Sequence, residues 1–313
     1  METMQFLNFQ EGQFINFLAF RRIAAIISAV LILAGIGSVT VHKGLKYGID
    51  FRGGTNVQIQ FTTQPNLDQL RKLFAEQGMK NVILQTFGDL ADKEILLGLP
   101  IDSPLGTGEH LTTELGKILL TQHPEFEIRR IESIGPKVGD ELKISAVQAI
   151  LIALGLVLLY ITIRFQWRQG VSAIIALVHD VLIIVGIFSI LEKEFTLTVV
   201  AALLTVVGYS LNDTIVVFDR IRENLGKYRK KSLEETINLS ITETLTRTLI
   251  TSGTTLLVVL ALFILGGEII HDFAFALLVG VLIGTYSSIY VASPVALFLM
   301  KLVPAGGTST AAN

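Results

Sequence analysis

Asp213 is an acid within an apolar stretch. It belongs to the segment VGYSLNDTIVVFDRIREN (207–224), which begins apolar and ends charged. On a helix it would lie about 9 Å deeper than Asp219, the first acid of the charged part. A carboxylate inside a bilayer costs roughly 2.5–3.5 kcal/mol on insertion scales, and acids kept at such depth commonly serve in proton relays. Asp213 is therefore a candidate proton-binding group.

Arg247 is the basic residue best placed to accompany Asp213. It opens the next apolar stretch and shares a helical stripe with four threonines, Thr244, Thr251, Thr254 and Thr255. Successive membrane helices run antiparallel, so both ionisable groups fall in the same half of the bilayer and can form a pair. Desolvation favours the neutral acid whereas a nearby guanidinium favours the carboxylate, so a small change in separation can load or release a proton. The alternatives are a static buried ion pair and an arginine that only snorkels to headgroups.

The stretch that holds Asp213 also has a face of small and polar residues. Its members recur at i, i+4, i+7 and i+11: Ala201, Thr205, Gly208 and Asn212. Such faces let membrane helices approach one another closely. We predict that Gly208, Asn212 and Thr251 are helix-packing positions. Asp213 should then point to protein and away from lipid.

Asp180, beside His179, is a second ionisable group within an apolar stretch. It lies about midway along that stretch, where an acid is again costly. One interpretation makes it part of the proton route with Asp213 and Arg247. The other makes it a polar clamp between helices.

Composition restricts the protein class. The chain has 313 residues, of which 51% are hydrophobic and 17% charged, which is typical of a membrane protein. The formal net charge of −2 does not suggest a nucleic-acid partner. There are no cysteines, and the five histidines lack metal-binding spacing, so we predict no metal site. Acyl, phosphoryl and hydride transfer lack candidate residues. We therefore predict that the chain is not an enzyme and has no cofactor, with protons as its coupling ion.

Six stretches are long and apolar enough to be α-helices that cross a bilayer. They are 23–41, 144–163, 169–191, 195–218, 247–267 and 273–300. Lys and Arg cluster at one set of ends, which predicts that both termini are cytoplasmic and that 42–143 lies outside. The remaining segments are predicted to be an interfacial leader (1–22), a cytoplasmic amphipathic loop or helix (219–246) and a cytoplasmic tail (301–313).

The external segment 42–143 has the pattern of a small α+β domain. NVQIQF (56–61) alternates like a half-buried strand, and NLDQLRKLFAEQG (66–78) is a helix with an Asn66 cap and a Gly78 stop. The complete order, strand-helix-strand-strand-helix-strand, is the ferredoxin-like arrangement. Its carboxylates are scattered, so it should contact a partner without catalysing a reaction.

Asp50, Gly53 and Gly54 open this domain within YGIDFRGGT (47–55). Two glycines allow positive φ in a tight turn before the first strand. The segment can be a simple turn, or a hinge that controls the angle between domain and membrane. The two interpretations are compatible.

Four segments together resemble the SecF family of bacterial protein-export membrane subunits, within the resistance–nodulation–division superfamily. They are YGIDFRGGT, IGPKVGDELK, VGYSLNDTIVVFDRIREN and TRTLITSGTTLLVVLALFILGG. The likeness runs from about residue 23 to 300. It implies that Asp213 and Arg247 couple protons and that Asp50, Gly53 and Gly54 form the family's glycine motif. Arg52 stands where many relatives have a small polar residue.

The resemblance also implies partners and a role. Family members join six spans to the six of SecD around a pseudo-two-fold axis. With SecD, the SecYEG channel and YajC they use proton motive force to finish export of a preprotein after the SecA motor step. This would place the chain in the bacterial cytoplasmic membrane.

Two other functions remain open from the residues alone. A small-molecule or lipid efflux transporter would need a solute path and usually a second external domain. A scaffold that stabilises its partner complex would need only a structural ion pair.

Overall fold

The computed structural model describes residues 14–79, 82–87, 92–101, 103–105, 109–121 and 125–302. Most of the predicted leader (1–22) and nearly all of the predicted tail (301–313) lie outside these ranges. A short 3-10 turn, Phe17–Phe20, leads into the first long helix.

Within the described residues, six helical spans are long and apolar enough to cross a membrane, which confirms the predicted number. Five are single helices: α1 (Arg21–Val41), α5 (Pro136–Arg164), α6 (Trp167–Ile190), α7 (Leu197–Lys227) and α8 (Leu233–Leu265). The sixth is α9 (Gly267–Ser287) continued by α10 (Ser293–Leu302). Several helices run beyond their apolar cores, and the segment 219–246 is divided between the end of α7, a turn and the start of α8.

A π-helical turn, Ser288–Ala292, joins α9 to α10. Its cause is Pro294, which has no N–H to give to the carbonyl one turn earlier and whose ring clashes with that carbonyl. The Ser293 hydroxyl instead donates to the Ser288 carbonyl at 2.8 Å. Such widened turns are frequent at functional sites.

Helices α6 and α7 form the centre of the bundle. Much of each is buried against its neighbours, whereas α1, α5 and α8 expose most of their apolar side chains. The backbones of α1 and α6 touch at Gly35 and Gly186, since a Cβ added to Gly35 would lie 2.7 Å from the Gly186 Cα. Similarly, a Cβ on Gly284 of α9 would lie 2.9 Å from the Ser210 Cβ of α7. These close approaches need glycine.

Between α1 and α5 lies a four-stranded sheet with two helices. The strands are β1 (Gly54–Phe61), β2 (Ile83–Phe87), β3 (Glu94–Pro100) and β4 (Phe126–Ile134), in the antiparallel order β2-β3-β1-β4. The helices are α3 (Leu67–Glu76), after β1, and α4 (Glu109–Leu120), after β3.

The core of this sheet region follows the predicted periodicities. Val57, Ile59 and Phe61 alternate inward along β1, and the i, i+4, i+8 leucines of α4 (Leu111, Leu115, Leu119) are fully buried. Burying each such side chain is worth about 1.5–3 kcal/mol. The Asn66 side chain accepts from the amides of Asp68 and Gln69, which confirms the predicted cap of α3.

Candidate functional site

Asp213 lies in the middle of the bundle, on α7. Only 2% of it is exposed. Its Oδ2 faces the Ser252 hydroxyl of α8 at 3.3 Å, and that hydroxyl is 2.7 Å from the Thr285 hydroxyl of α9. The Thr285 hydroxyl in turn lies 2.8 Å from the carbonyl of Val281, to which it can donate. The acid therefore ends a chain of two hydroxyls and one carbonyl that links three spans.

This hydroxyl chain can report the protonation of Asp213. Each hydroxyl has one hydrogen and can also accept. When Asp213 is a carboxylate, Ser252 can donate to it and accept from Thr285. When Asp213 is protonated, the acid can donate to Ser252, which donates to Thr285, which donates to Val281. Gain or loss of one proton at Asp213 thus reverses the direction in which the Ser252 and Thr285 hydroxyls donate, while the same residues remain bonded.

Arg247 is not the hydrogen-bonding partner of Asp213. Among the described residues the two form no ion pair within 4 Å, and Arg247 acts on the acid only by charge at longer range. The pair expected from the sequence is therefore not formed in this arrangement. The reason is angular: Arg247 and Ser252 are five positions apart, about 140° around α8. With Ser252 turned to Asp213, Arg247 is on an exposed face.

The small and polar face of α7 is also exposed. As expected, Asp213 points to protein, but Gly208 and Asn212, two and three turns along the predicted packing face from Ala201, are exposed and do not pack within this chain. A Cβ added to Gly208 would meet nothing within 4 Å. Thr251, on the neighbouring α8, is half-buried and its hydroxyl bonds only to carbonyls of its own helix.

Asp180 lies in a second buried polar network, beside the first. It is 1% exposed, and its Oδ2 accepts from Ser210 of α7 at 2.6 Å and from Ser287 of α9 at 2.8 Å. Its Oδ1 is 2.9 Å from Nδ1 of His179. Two serine donors and the contact with His179 satisfy this carboxyl group, which explains how an acid is tolerated there.

The network continues from His179 to α1. Nε2 of His179 is 2.9 Å from the Ser28 hydroxyl, which is 3.0 Å from the Tyr286 hydroxyl of α9. The Tyr286 hydroxyl donates to the Ala24 carbonyl at 2.7 Å. Four helices, α1, α6, α7 and α9, therefore meet on one hydrogen-bonded cluster.

One turn of α9 is linked by hydrogen bonds to both acids. Thr285 reaches Asp213 through Ser252, Tyr286 reaches α1, and Ser287 binds Asp180 directly. The π-helical turn begins at the next residue. Sequence reasoning missed these residues, although the run Thr-Tyr-Ser-Ser inside an apolar span was a usable signal.

Asp50 lies far from Asp213 along the chain but contacts α7, the helix that carries Asp213. It belongs to the short helix α2 (Ile49–Arg52), and its Oδ2 accepts from the amide of Leu197, the first residue of α7, at 2.9 Å. Beside it, the amide of Phe195 donates to the Lys46 carbonyl at 2.8 Å, and the amide of Gly48 donates to the Phe195 carbonyl at 3.0 Å. The segment that leads into the sheet region is therefore held by one hydrogen bond to the first residue of α7 and by two to Phe195, just before that helix.

Gly53 and Gly54 turn the chain from α2 into β1. Their φ angles are +78° and +149°, which other residues rarely adopt. A Cβ on Gly54 would clash with the Leu99 carbonyl, and one on Gly53 would lie 3.0 Å from the Ile134 carbonyl. Both glycines thus let β1 start between β3 and β4.

The described residues contain no group of three or more histidines, cysteines and acids that could hold a metal ion.

Two family models match the chain. The model for the C-terminal part of protein export membrane proteins SecD/SecF covers residues 114–302, and the SecD/SecF GG motif covers 39–65. The second match contains Asp50, Gly53 and Gly54.

Curated relatives match over nearly the whole chain. Protein translocase subunit SecF of Vibrio alginolyticus is 48% identical over 91% of this chain and 90% of its own length. The subunit of the same name from Haemophilus influenzae is 45% identical, over 90% of this chain and 85% of the relative.

A solved structure has the same fold. It is SecDF, a translocon-associated membrane protein from Thermus thermophilus, with a TM-score of 0.79 and 38% identity over 94% of this chain. A second structure, of SecDF in a super-membrane-facing form, has a TM-score of 0.70 and 40% identity. This chain spans only 40% and 39% of those two longer chains. On these matches, the chain belongs to the SecF family of protein translocase subunits.

Proposed function

We propose that this chain pairs with a SecD subunit and uses proton motive force to complete preprotein export through the Sec channel, after the ATP-driven SecA step. The supporting observation is the buried carboxyl group of Asp213 at the end of the hydroxyl chain formed by Ser252 and Thr285. A proton that falls through 100 mV releases roughly 2.3 kcal/mol, which biases a two-state movement more than tenfold.

The exposed polar face supports the SecD partner. Thr205, Gly208 and Asn212 on α7, with Arg247 on α8, are exposed in a part of the chain that we place in the bilayer. Polar and charged groups are costly against lipid, so this face fits against other membrane helices. The SecDF neighbours are chains more than twice as long, which leaves room for a second set of spans.

In this proposal the sheet region is an external, ferredoxin-like domain, and both termini are in the cytoplasm. The domain holds the emerging preprotein, and SecYEG and YajC complete the assembly in the bacterial inner membrane. Proton binding at Asp213 shifts α7, and Asp50 passes that shift to the domain, since it binds the first amide of the same helix.

The proposal is tested by Asp213→Asn, with Asp219→Asn as the matched control. Both variants remove one carboxylate from α7, but Asp219 is exposed and Asp213 is buried. Release of a preprotein from spheroplasts with an intact proton gradient should fail for Asp213→Asn and remain normal for Asp219→Asn. Normal release by Asp213→Asn would refute the coupling role.

A scaffold with a structural charge pair is distinguished by exchanging the two residues. The double variant Asp213→Arg, Arg247→Asp keeps both charges but moves the acid to the exposed face of α8. Our proposal expects loss of gradient-dependent release while the complex still co-purifies. Preserved release would favour the scaffold.

A further inference from the structure

We propose that the His179–Asp180 pair is a second proton-carrying site of this chain, and that its occupancy sets the position of α9 against α6 and α7. This rests on the proposed function, because it adds a second site to the same proton-driven cycle.

The direction of the hydrogen bonds is fixed from the α1 end. The Tyr286 hydroxyl uses its one hydrogen on the Ala24 carbonyl, so Ser28 must donate in the contact between Ser28 and Tyr286. Ser28 has then used its own hydrogen. In its 2.9 Å contact with His179 it can only accept, so Nε2 of His179 carries a hydrogen.

The other side of the ring needs a hydrogen as well. Nδ1 of His179 is 2.9 Å from Oδ1 of Asp180, a hydrogen-bond distance that requires a hydrogen between the two atoms. It belongs either to an imidazolium facing a carboxylate or to a carboxylic acid facing a neutral imidazole. In both cases the pair holds one proton more than a neutral histidine beside a carboxylate, and its net charge is zero.

Loss of that proton would change the hydrogen-bond pattern of the network. To keep the 2.9 Å contact with Oδ1 of Asp180, a neutral His179 would place its remaining hydrogen on Nδ1, so Nε2 would accept from Ser28 and the Tyr286 hydroxyl of α9 would turn from Ala24 to Ser28. A net negative charge would then remain at a site only 1% exposed. Occupancy and geometry are therefore linked at this pair.

The same pair is bound to the helix turn that reaches Asp213. Ser287 of α9 donates to Asp180, and Thr285, two residues earlier, reaches Asp213 through Ser252. The π-helical turn that follows lacks the regular α-helical bonding, so α9 has a place to adjust relative to α10. A change at the pair can thus be transmitted to Asp213 by one turn of α9.

Among the described residues, no acidic or basic side chain outside the pair bonds to His179 or Asp180. The described side chains that bond to the pair from α1, α7 and α9 are Ser28, Ser210 and Ser287. Tyr286 stacks on the His179 ring, with centroids 6.1 Å apart, and its hydroxyl is committed to Ala24. Across the described ranges, Asp213 and Arg247 form no hydrogen bond or ion pair with the pair. Asp213 is linked to it through Ser210 on its own helix and through α9.

The experiment replaces the pair by neutral amides. His179→Gln with Asp180→Asn keeps donors and acceptors but cannot exchange a proton. Wild type, this double variant and Asp213→Asn are each reconstituted with the SecD subunit and the Sec channel in proteoliposomes. Gradient-driven translocation is measured over about pH 5 to 8, where histidine titrates.

We expect the double variant to assemble, to lose one step of the wild-type pH profile, and to translocate roughly tenfold more slowly, because one proton's contribution to the bias is removed. An unchanged rate and profile would show that the pair is a static clamp and would overturn the proposal. Asp213→Asn separates the two claims: if it keeps gradient dependence the proposed function fails, whatever the pair does.

Ser287→Ala provides a second test should the double variant not assemble. It leaves His179 and Asp180 in place and removes the hydrogen bond from α9 to Asp180. Proton uptake by the vesicles should persist while translocation falls. Unchanged translocation would contradict the role of α9.

Discussion

The amide of Leu197 donates a 2.9 Å hydrogen bond to Oδ2 of Asp50. Leu197 begins α7, and Asp213 lies 16 residues further on the same helix, about 24 Å away. A carboxylate at a helix N-terminus is favourable, because the first amides have no partner within the helix. The segment that enters the sheet region is therefore fastened to the helix that carries the buried acid.

Asp50→Ala should weaken this fastening. Losing such a cap costs about 1 kcal/mol, whereas Asp50→Asn keeps an acceptor and should be nearly neutral. We expect gradient-driven translocation to fall for Asp50→Ala only. Asn66→Ala is the matched control, because it also removes a side-chain cap from a helix N-terminus. That cap belongs to α3 in the sheet region and leaves the bond between Asp50 and α7 in place. Equal losses in the Asp50→Ala and Asn66→Ala variants would argue against transmission through Asp50.

Gly54→Ala should destabilise the sheet region. The new Cβ would clash with the backbone of Leu99 and would hold a non-glycine residue at φ +149°. Strain and overpacking together should cost about 3 kcal/mol. Gly78→Ala isolates the strain, because φ there is +83° with nothing within 4 Å. Protease cleavage of the chain in increasing urea measures the stability of the Gly54→Ala and Gly78→Ala variants. Equal loss of stability in the two would contradict the predicted clash at Gly54.

Gly208→Leu should prevent assembly with SecD. The added side chain would project from the exposed polar face of α7 that we assign to the partner. Gly155→Leu is the control: it is also exposed with nothing within 4 Å, but its α5 neighbours Ile152, Leu156 and Leu159 form an apolar surface suited to lipid. Co-purification with tagged SecD should be lost for the first variant and kept for the second. The reverse pattern would place the interface on α5.

Ser252→Ala should interrupt the hydroxyl chain at Asp213. The acid would lose its described hydrogen-bond partner, at a cost of about 1–3 kcal/mol for a buried polar group. Gradient-driven translocation should fall while assembly is retained. Ser172→Ala removes an equally buried hydroxyl on α6 that donates only to the Arg168 carbonyl. If the two variants translocate equally well, Ser252 has no part in coupling.

The spacing of apolar residues predicted much of the fold, because that spacing reflects which side of each strand or helix is buried. The strand alternation at Val57 and Ile59, and the leucine face of α4, each place apolar groups on one side of an element, and the structure buries them. Asp213 and Asp180 were found because an acid in an apolar stretch is conspicuous on any hydropathy scale.

The partners of these acids could not be predicted from the sequence. Which face of α8 turns to α7 depends on packing, so Arg247 was expected where Ser252 lies. A single serine in an apolar helix carries little hydropathy signal, and Ser252 was missed for that reason. The bond between Asp50 and Leu197 joins positions 147 residues apart, beyond the reach of any local pattern.

The contact between Gly35 and Gly186 has a consequence for biosynthesis. The ribosome completes α1 long before it makes α6, the helix on which α1 packs. At 5–20 residues per second, the interval of 151 residues (186 − 35) lasts about 8–30 s. During that time the nascent α1 lacks the helix against which its Gly35 backbone packs, so this close contact can form only after α6 has been synthesised.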